Sequence, residues 1–160
     1  MRLTTMTDYA LRLLMYVAQQ RERLSTIAEI ATAYDISEAH LMKVTHRLAT
    51  HGLIVTLRGK GGGMRLAREP ADINLGAVVR CVEPDFQLVE CFGESKGCLL
   101  TGRCRFTGIL NDALGDFLAR LDRHTLADIL LPSSVMPPAP PAPRARAGVR
   151  YNLARSPTRR

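Results

Sequence analysis

Apolar residues along the first half of the chain recur at spacings of three and four, and short polar breaks reset their phase. Met6, Ala10, Leu13, Leu14 and Val17 form one stripe, which predicts a first helix from Thr5 to Gln19. Thr5-x-x-Asp8 has the form of a capping box at its start, and Asp8 and Arg12, four apart, share another face. Ile27, Ile30, Ala31 and Tyr34 predict a second helix opened by Thr26-x-x-Glu29. After a break at Asp35-Ile36, Ser37 is a natural N-cap for a third helix reaching His51, with Leu41, Val44 and Leu48 as its buried seam. Two short helices joined by a tight turn spell a helix-turn-helix.

The period then changes. Residues 54–67 read as strand, glycine-rich hairpin and strand, with Arg58, Lys60 and Arg65 flanking four glycines. A basic hairpin directly after a helix-turn-helix is a wing: glycine lets the backbone approach a phosphate or the minor groove, and arginine or lysine supplies the counter-charge. Gly61-Gly62-Gly63 leads into a strand and not a helix, which argues against a nucleotide phosphate loop. A fourth helix is expected over residues 73–82 and a long amphipathic one over 106–131, with Ile109, Leu110, Leu114, Phe117, Leu118 and Leu121 as a broad apolar stripe. Such a stripe beyond a winged helix buries most naturally against a second copy of itself, so a homodimer is expected.

The expected fold class is therefore mainly α with a small β-hairpin wing, a winged helix-turn-helix followed by a long C-terminal dimerisation helix. The organisation reads as 1–82 DNA-binding domain, 83–105 cysteine loop, 106–131 dimerisation helix and 132–160 tail. The tail, rich in proline and arginine, has little to bury and is expected to be disordered. The net charge of +7 changes this picture less than it first suggests. Residues 1–80 carry 11 Lys and Arg against 7 Asp and Glu, residues 81–135 carry 5 against 8, and residues 136–160 carry 6 arginines and no acid. Most of the excess thus sits in the tail. No apolar run is long enough to cross a bilayer and the start lacks a signal peptide's apolar stretch, so the expectation is a cytoplasmic protein with no membrane partner.

Cys91, Cys98 and Cys104 lie in a segment interrupted by Gly93, Ser95, Gly97 and Gly102, which can wrap an inorganic core. Three thiolates suit iron in a cluster or zinc, and the spacing lacks the C-x2-C pair common at structural zinc sites. Cys81, on the apolar fourth helix, reads as a small buried hydrophobe. A further donor to the core is not fixed by spacing: His51, His124, Glu90 and Glu94 are candidates, while His40 and His46 lie on the proposed DNA-reading helix. No spacing suggests paired catalytic acids or a nucleophile–base arrangement, and nothing points to an enzyme.

Three ordered motifs carry a resemblance. They are Leu3-Thr4-x-x-Thr7-Asp8-Tyr9-Ala10-Leu11-Arg12; then Ile27-Ala28-x-Ile30-Ala31 with Ile36-Ser37-x-x-x-Leu41-x-Lys43; and Arg58-Gly59-x-x-Gly62-Gly63-x-x-Leu66. Over residues 1–131 the chain resembles the iron–sulfur winged-helix regulators of the IscR/NsrR type. The cysteine loop and the ending Leu121-Asp122-Arg123-His124-Thr125-Leu126-Ala127-Asp128 look most like the nitric-oxide-sensing NsrR branch. Thr107 stands where the IscR branch has a ligating histidine, and the gap from Cys91 to Cys98 is one residue longer than is common in the superfamily.

The resemblance implies an iron–sulfur cluster, 2Fe–2S or 4Fe–4S, held by Cys91, Cys98 and Cys104 and completed by Asp8 from the partner subunit. Arg12 and Glu83 are implied as residues that hold the loop down. It further implies a homodimeric repressor that binds double-stranded palindromic operator DNA while the cluster is intact and releases it on nitrosylation by nitric oxide. Ser37, Glu38, Ala39, His40 and Lys43 are the early third-helix positions expected at base edges, with Arg58, Lys60 and Arg65 at phosphates and the minor groove. The alternatives keep the fold and change the signal to iron–sulfur or redox status, as in the IscR type, or replace the cluster by a structural zinc.

Overall fold

The computed structural model describes residues 2–93, 98, 100, 103–132 and 135. The tail beyond these, and Glu94 in the cysteine loop, lie outside the described residues. Helices α1 (Thr5–Gln19), α2 (Ile27–Tyr34) and α3 (Glu38–Thr50) are followed by strands β1 (Ile54–Leu57) and β2 (Gly63–Leu66), then α4 (Leu75–Val82) and α5 (Arg105–Asp122). The fold is mainly helical with one antiparallel hairpin, a winged helix-turn-helix with a long helix behind it.

Local chemistry sets most of these boundaries. Thr26 and Glu29 form a reciprocal capping box at α2, and Ser37 Oγ accepts from the His40 amide at α3. Between the helices, Asp35 takes a left-handed conformation at φ 53°, which turns the chain. In the hairpin Ile54 pairs with Leu66 and Leu57 with Gly63. One further bridge extends this ladder: Ser25 N donates to Met64 O at 2.9 Å and Met64 N to Ser25 O at 2.7 Å.

Helix α1 has the expected bounds, but its cap and the end of α5 differ from the expectation, both for tertiary reasons. The α1 N-cap is Thr4, and its hydroxyl donates to Glu83 Oε1 at 3.1 Å instead of capping its own helix. Helix α5 stops at Asp122, short of residue 131. Thr125 and Asp128 there form a new capping box that opens a 3-10 turn, Leu126–Ile129. Leu126 N donates to Ile73 O at 2.8 Å and Leu75 N donates to His124 O at 2.9 Å, so the chain folds back onto the start of α4.

The core is aliphatic. Leu13, Leu14, Ile30, Leu41, Leu48 and Val78 are fully buried, and Leu126 joins them from the far end of the chain. Cys81 is half-buried against this core, where burial raises its thiol pKa. Helix α5 behaves differently: none of its residues is fully buried, and Phe106 and Ile109 are 60% and 63% exposed. Among the described residues no helix is long and apolar enough to cross a membrane.

Candidate DNA-reading face and cysteine loop

Helix α3 divides cleanly. Leu41, Val44, Thr45 and Leu48 turn inward, while Glu38, Ala39, His40, Met42, Lys43 and His46 face solvent. Ser37 fixes the leading end, its Oγ lying 2.9 Å from His40 Nδ1. The His40 ring meets Tyr9 of α1, with centroids 6.0 Å apart. Arg58, Lys60 and Arg65 are exposed on the wing. The wing tip turns through Gly59 and Gly61 at φ +99° and +80°, a region that favours glycine. At the wing's base Arg65 and Arg68 line one cleft of about 350 Å³ with Arg21. Arg21 is held there by Glu69 at 3.3 Å. Arg65 was a candidate from the sequence; the folded chain also brings Arg21 beside it and the neighbouring Arg68. Sequence reasoning passed over Met42, whose signal was an apolar residue off the buried seam.

The cysteines sit at the two ends and the middle of the loop. Cys91 lies in the 3-10 turn Glu90–Phe92, Cys104 is the N-cap of α5, and Cys98 is exposed between them. None is disulfide-bonded. Thr107, in the first turn of α5, stands near both ends: its Oγ1 lies 3.6 Å from Cys91 Sγ, and its hydroxyl and amide act on the Cys104 thiol at the N-cap. These donors, with the Phe106 amide, draw the Cys104 thiol pKa below its ordinary value. A helix N-terminus favours thiolate for the same reason.

Asp8, Arg12 and Glu83 form a separate group around the first two turns of α1. Arg12 Nε donates to Asp8 Oδ1 at 3.1 Å, Arg12 Nη2 lies 2.9 Å from Asp8 Oδ2, and the guanidinium covers the Tyr34 ring. Glu83 Oε1 accepts from the Thr4 amide at 2.8 Å and from the hydroxyls of Thr4 and Thr7. Glu83 thereby fastens the root of the cysteine loop to α1.

Of the other donor candidates, His51 Nδ1 lies 2.9 Å from Arg47 O, and His124 Nδ1 is 3.7 Å from Asp128. Among the described residues of one chain, no three His, Cys, Asp or Glu side chains are gathered closely enough to hold a metal ion. The structure thus places Thr107 near both Cys91 and Cys104 and leaves Asp8 with Arg12.

Comparison with known proteins supplies the frame for these features. The HTH-type transcriptional regulator NsrR of Halalkalibacterium halodurans is 48% identical over 132 residues, covering 81% of this chain and 90% of that protein. The solved structure of T. potens IscR is similar at a TM-score of 0.64 and 27% identity, covering 81% and 85% of the two chains. CymR of B. subtilis, described as its global cysteine regulator, is similar at 0.60 and 26%, covering 81% and 95%. These relatives are regulators and not enzymes, and a winged helix is a DNA-binding module. Residues 3–131 match the Rrf2 family, described as an iron-dependent transcriptional regulator, and the chain belongs to that family.

Proposed function

We propose that this chain is a homodimeric repressor whose grip on a palindromic operator depends on an iron–sulfur cluster held by Cys91, Cys98 and Cys104, and that its signal is nitric oxide. The 48% identity to an NsrR regulator carries this reading, since the family match over residues 3–131 spans all three cysteines. The chemistry of the donors suits the group, though their side chains are not gathered in one chain: Cys91 lies beside Thr107, Cys98 is exposed, and the Cys104 thiol pKa is lowered. When bound, the cluster supplies iron that nitric oxide can attack.

The remaining work falls to the chain. The half-exposed stripe of α5 supports a second copy as its cover, because Phe106 and Ile109 lie bare in one chain. Asp8, near the start of α1, is the proposed ligand from the partner subunit, and Arg12 is the cation that holds its carboxylate when it is not a ligand. Glu83 ties α1 to the loop root, and Tyr9 carries α1 to the leading end of α3. A change at the loop therefore reaches the reading helix through α1. Two such helices must sit roughly 34 Å apart to enter successive major grooves. A coupling of about 1–3 kcal/mol changes occupancy by about 5- to 150-fold.

A second reading keeps this fold and answers iron–sulfur status or cysteine supply, in line with the fold shared with IscR and CymR. The deciding experiment is titration of oxygen-free protein with nitric oxide, following absorbance, iron and sulfide content, and operator affinity together. The expected result is loss of affinity at stoichiometric nitric oxide, with Cys98→Ala colourless and weak on the operator. Tight, specific binding by Cys98→Ala would refute dependence on the cluster. An Asp8→Ala protein with unchanged spectrum and nitric-oxide rate would remove Asp8 from the ligand set.

A further inference from the structure

The solvent face of α3 contains one residue that does not belong to a solvated surface. Met42 is 55% exposed, the only large hydrophobic side chain so exposed on α3 among the described residues. Single exposed apolar residues are common on proteins and carry no meaning by themselves. The position of Met42 gives this one meaning. It lies four residues after Glu38 and four before His46, so it stands in the middle of one exposed stripe along α3, on the flank of the solvent face that adjoins Thr45. Ala39, one turn earlier, is too small to screen it. Lys43 and the wing cations Arg58, Lys60 and Arg65 supply charge complementary to phosphates around it.

Base edges in the major groove are polar donors and acceptors with one exception, the C5 methyl group of thymine. A methionine side chain donates no hydrogen bond and its sulfur accepts only weakly. Its unbranched, polarizable thioether adapts its shape to an apolar partner. Neighbouring Glu38, Lys43 and His46 are each suited to polar contacts; of the two apolar side chains on this face, Ala39 and Met42, Met42 has the greater reach.

We propose that Met42 reads a thymine methyl group in each operator half-site, and so fixes an A·T pair at one position of the sequence. This rests on α3 being the helix that enters the major groove. It names a specificity residue that a reading limited to the polar positions of α3 omits.

The test uses oxygen-free full-length protein and a duplex that the protein itself selects from a random-sequence pool. Each symmetric pair of thymines is then replaced by deoxyuridine, which removes only the methyl groups, and affinity is read by fluorescence anisotropy. One pair is expected to lose about fourfold in affinity per half-site, the size of one buried methyl contact. Met42→Ala is expected to bind the thymine duplex more weakly and to be indifferent to deoxyuridine at that position alone, with its dimer mass unchanged by native mass spectrometry.

If Met42→Ala still distinguishes thymine from deoxyuridine wherever the wild type does, the assignment is overturned. Loss of the dimer in Met42→Ala would place the side chain in a subunit interface and overturn it as well. Failure of the wild type to enrich any duplex is a separate outcome, because it removes α3 as a reading helix and this assignment with it.

Discussion

Arg80 and Asp122 face each other through two parallel hydrogen bonds, Nη1 to Oδ1 at 2.6 Å and Nη2 to Oδ2 at 2.8 Å, joining α4 to the end of α5. The Arg80 partnership holds the Asp122 carboxyl pKa below the usual aspartate value. A depressed folded-state value means stability that is present above the unfolded value and lost as pH falls through the folded one. Both side chains are substantially exposed, so the contribution is screened and small. Asp122→Asn is expected to lower the melting temperature slightly at neutral pH and to flatten its fall below about pH 4. An unchanged acid limb in thermal melts from pH 3 to pH 7 would exclude Asp122 from the acid response.

Gly76, buried on α4, leaves room for this pair. A Cβ placed there would come within 1.9 Å of Asp122 Oδ1 and 2.8 Å of Arg80 Nη1. The clash is with movable side-chain ends, so Gly76→Ala is expected to break the ion pair without breaking the helix. Alanine also favours a helix over glycine by about 1 kcal/mol. In an Asp122→Ala background, Gly76→Ala should therefore stabilise, and in the wild type it should stabilise less or destabilise. Equal effects in the two backgrounds, measured by urea melts, would disprove the coupling.

Leu126 is fully buried although it lies beyond the long helix. Leu126→Ala is expected to cost about 2–5 kcal/mol, the range for large-to-small changes in a closed core. Denaturant unfolding of the whole protein checks this. A loss well under 1 kcal/mol would show that the segment after α5 is only laid on the surface.

Ile109→Glu tests the proposed dimer at a side chain that is 63% exposed in one chain and so can be changed without opening the core. The expected product is a folded monomer with weak operator binding, because one reading head makes half the contacts. Sedimentation showing an intact dimer would move the interface off this face of α5.

The elements most readable in the sequence were those fixed by nearest neighbours. Thr26 with Glu29, Ser37 before α3 and the basic glycine-rich hairpin each complete their hydrogen bonds within a few residues. The expectation failed where a distant group intervened. The bounds of α1 were legible, but the cap was not: the Thr4 hydroxyl and amide turn to Glu83, which lies 79 residues away. The end of α5 depends on Asn74, whose side chain donates to Asp122 O at 2.6 Å, and on the bridge from Leu126 to Ile73. Spacing in a linear string carries no record of such partners. At the cysteine loop, the sequence named the three sulfurs and treated Thr107 only as the absence of a histidine. In the folded chain its hydroxyl stands near both Cys91 and Cys104.

The paired amides and carbonyls of Ser25 and Met64 make the wing a third party to the helix-turn-helix. Gly63 permits this, since a Cβ there would lie 2.7 Å from Ser25 O. A hairpin stitched in this way does not flap on its own: it travels with α2 and α3 as one reading head. In the proposed dimer, regulation of such a head would work like the jaws of a caliper, through the gap and tilt between two stiff pieces. On the proposed function the operator would respond to how far apart its two halves are gripped, and lengthening the spacer by one base pair should mimic the signal without any chemistry at the loop.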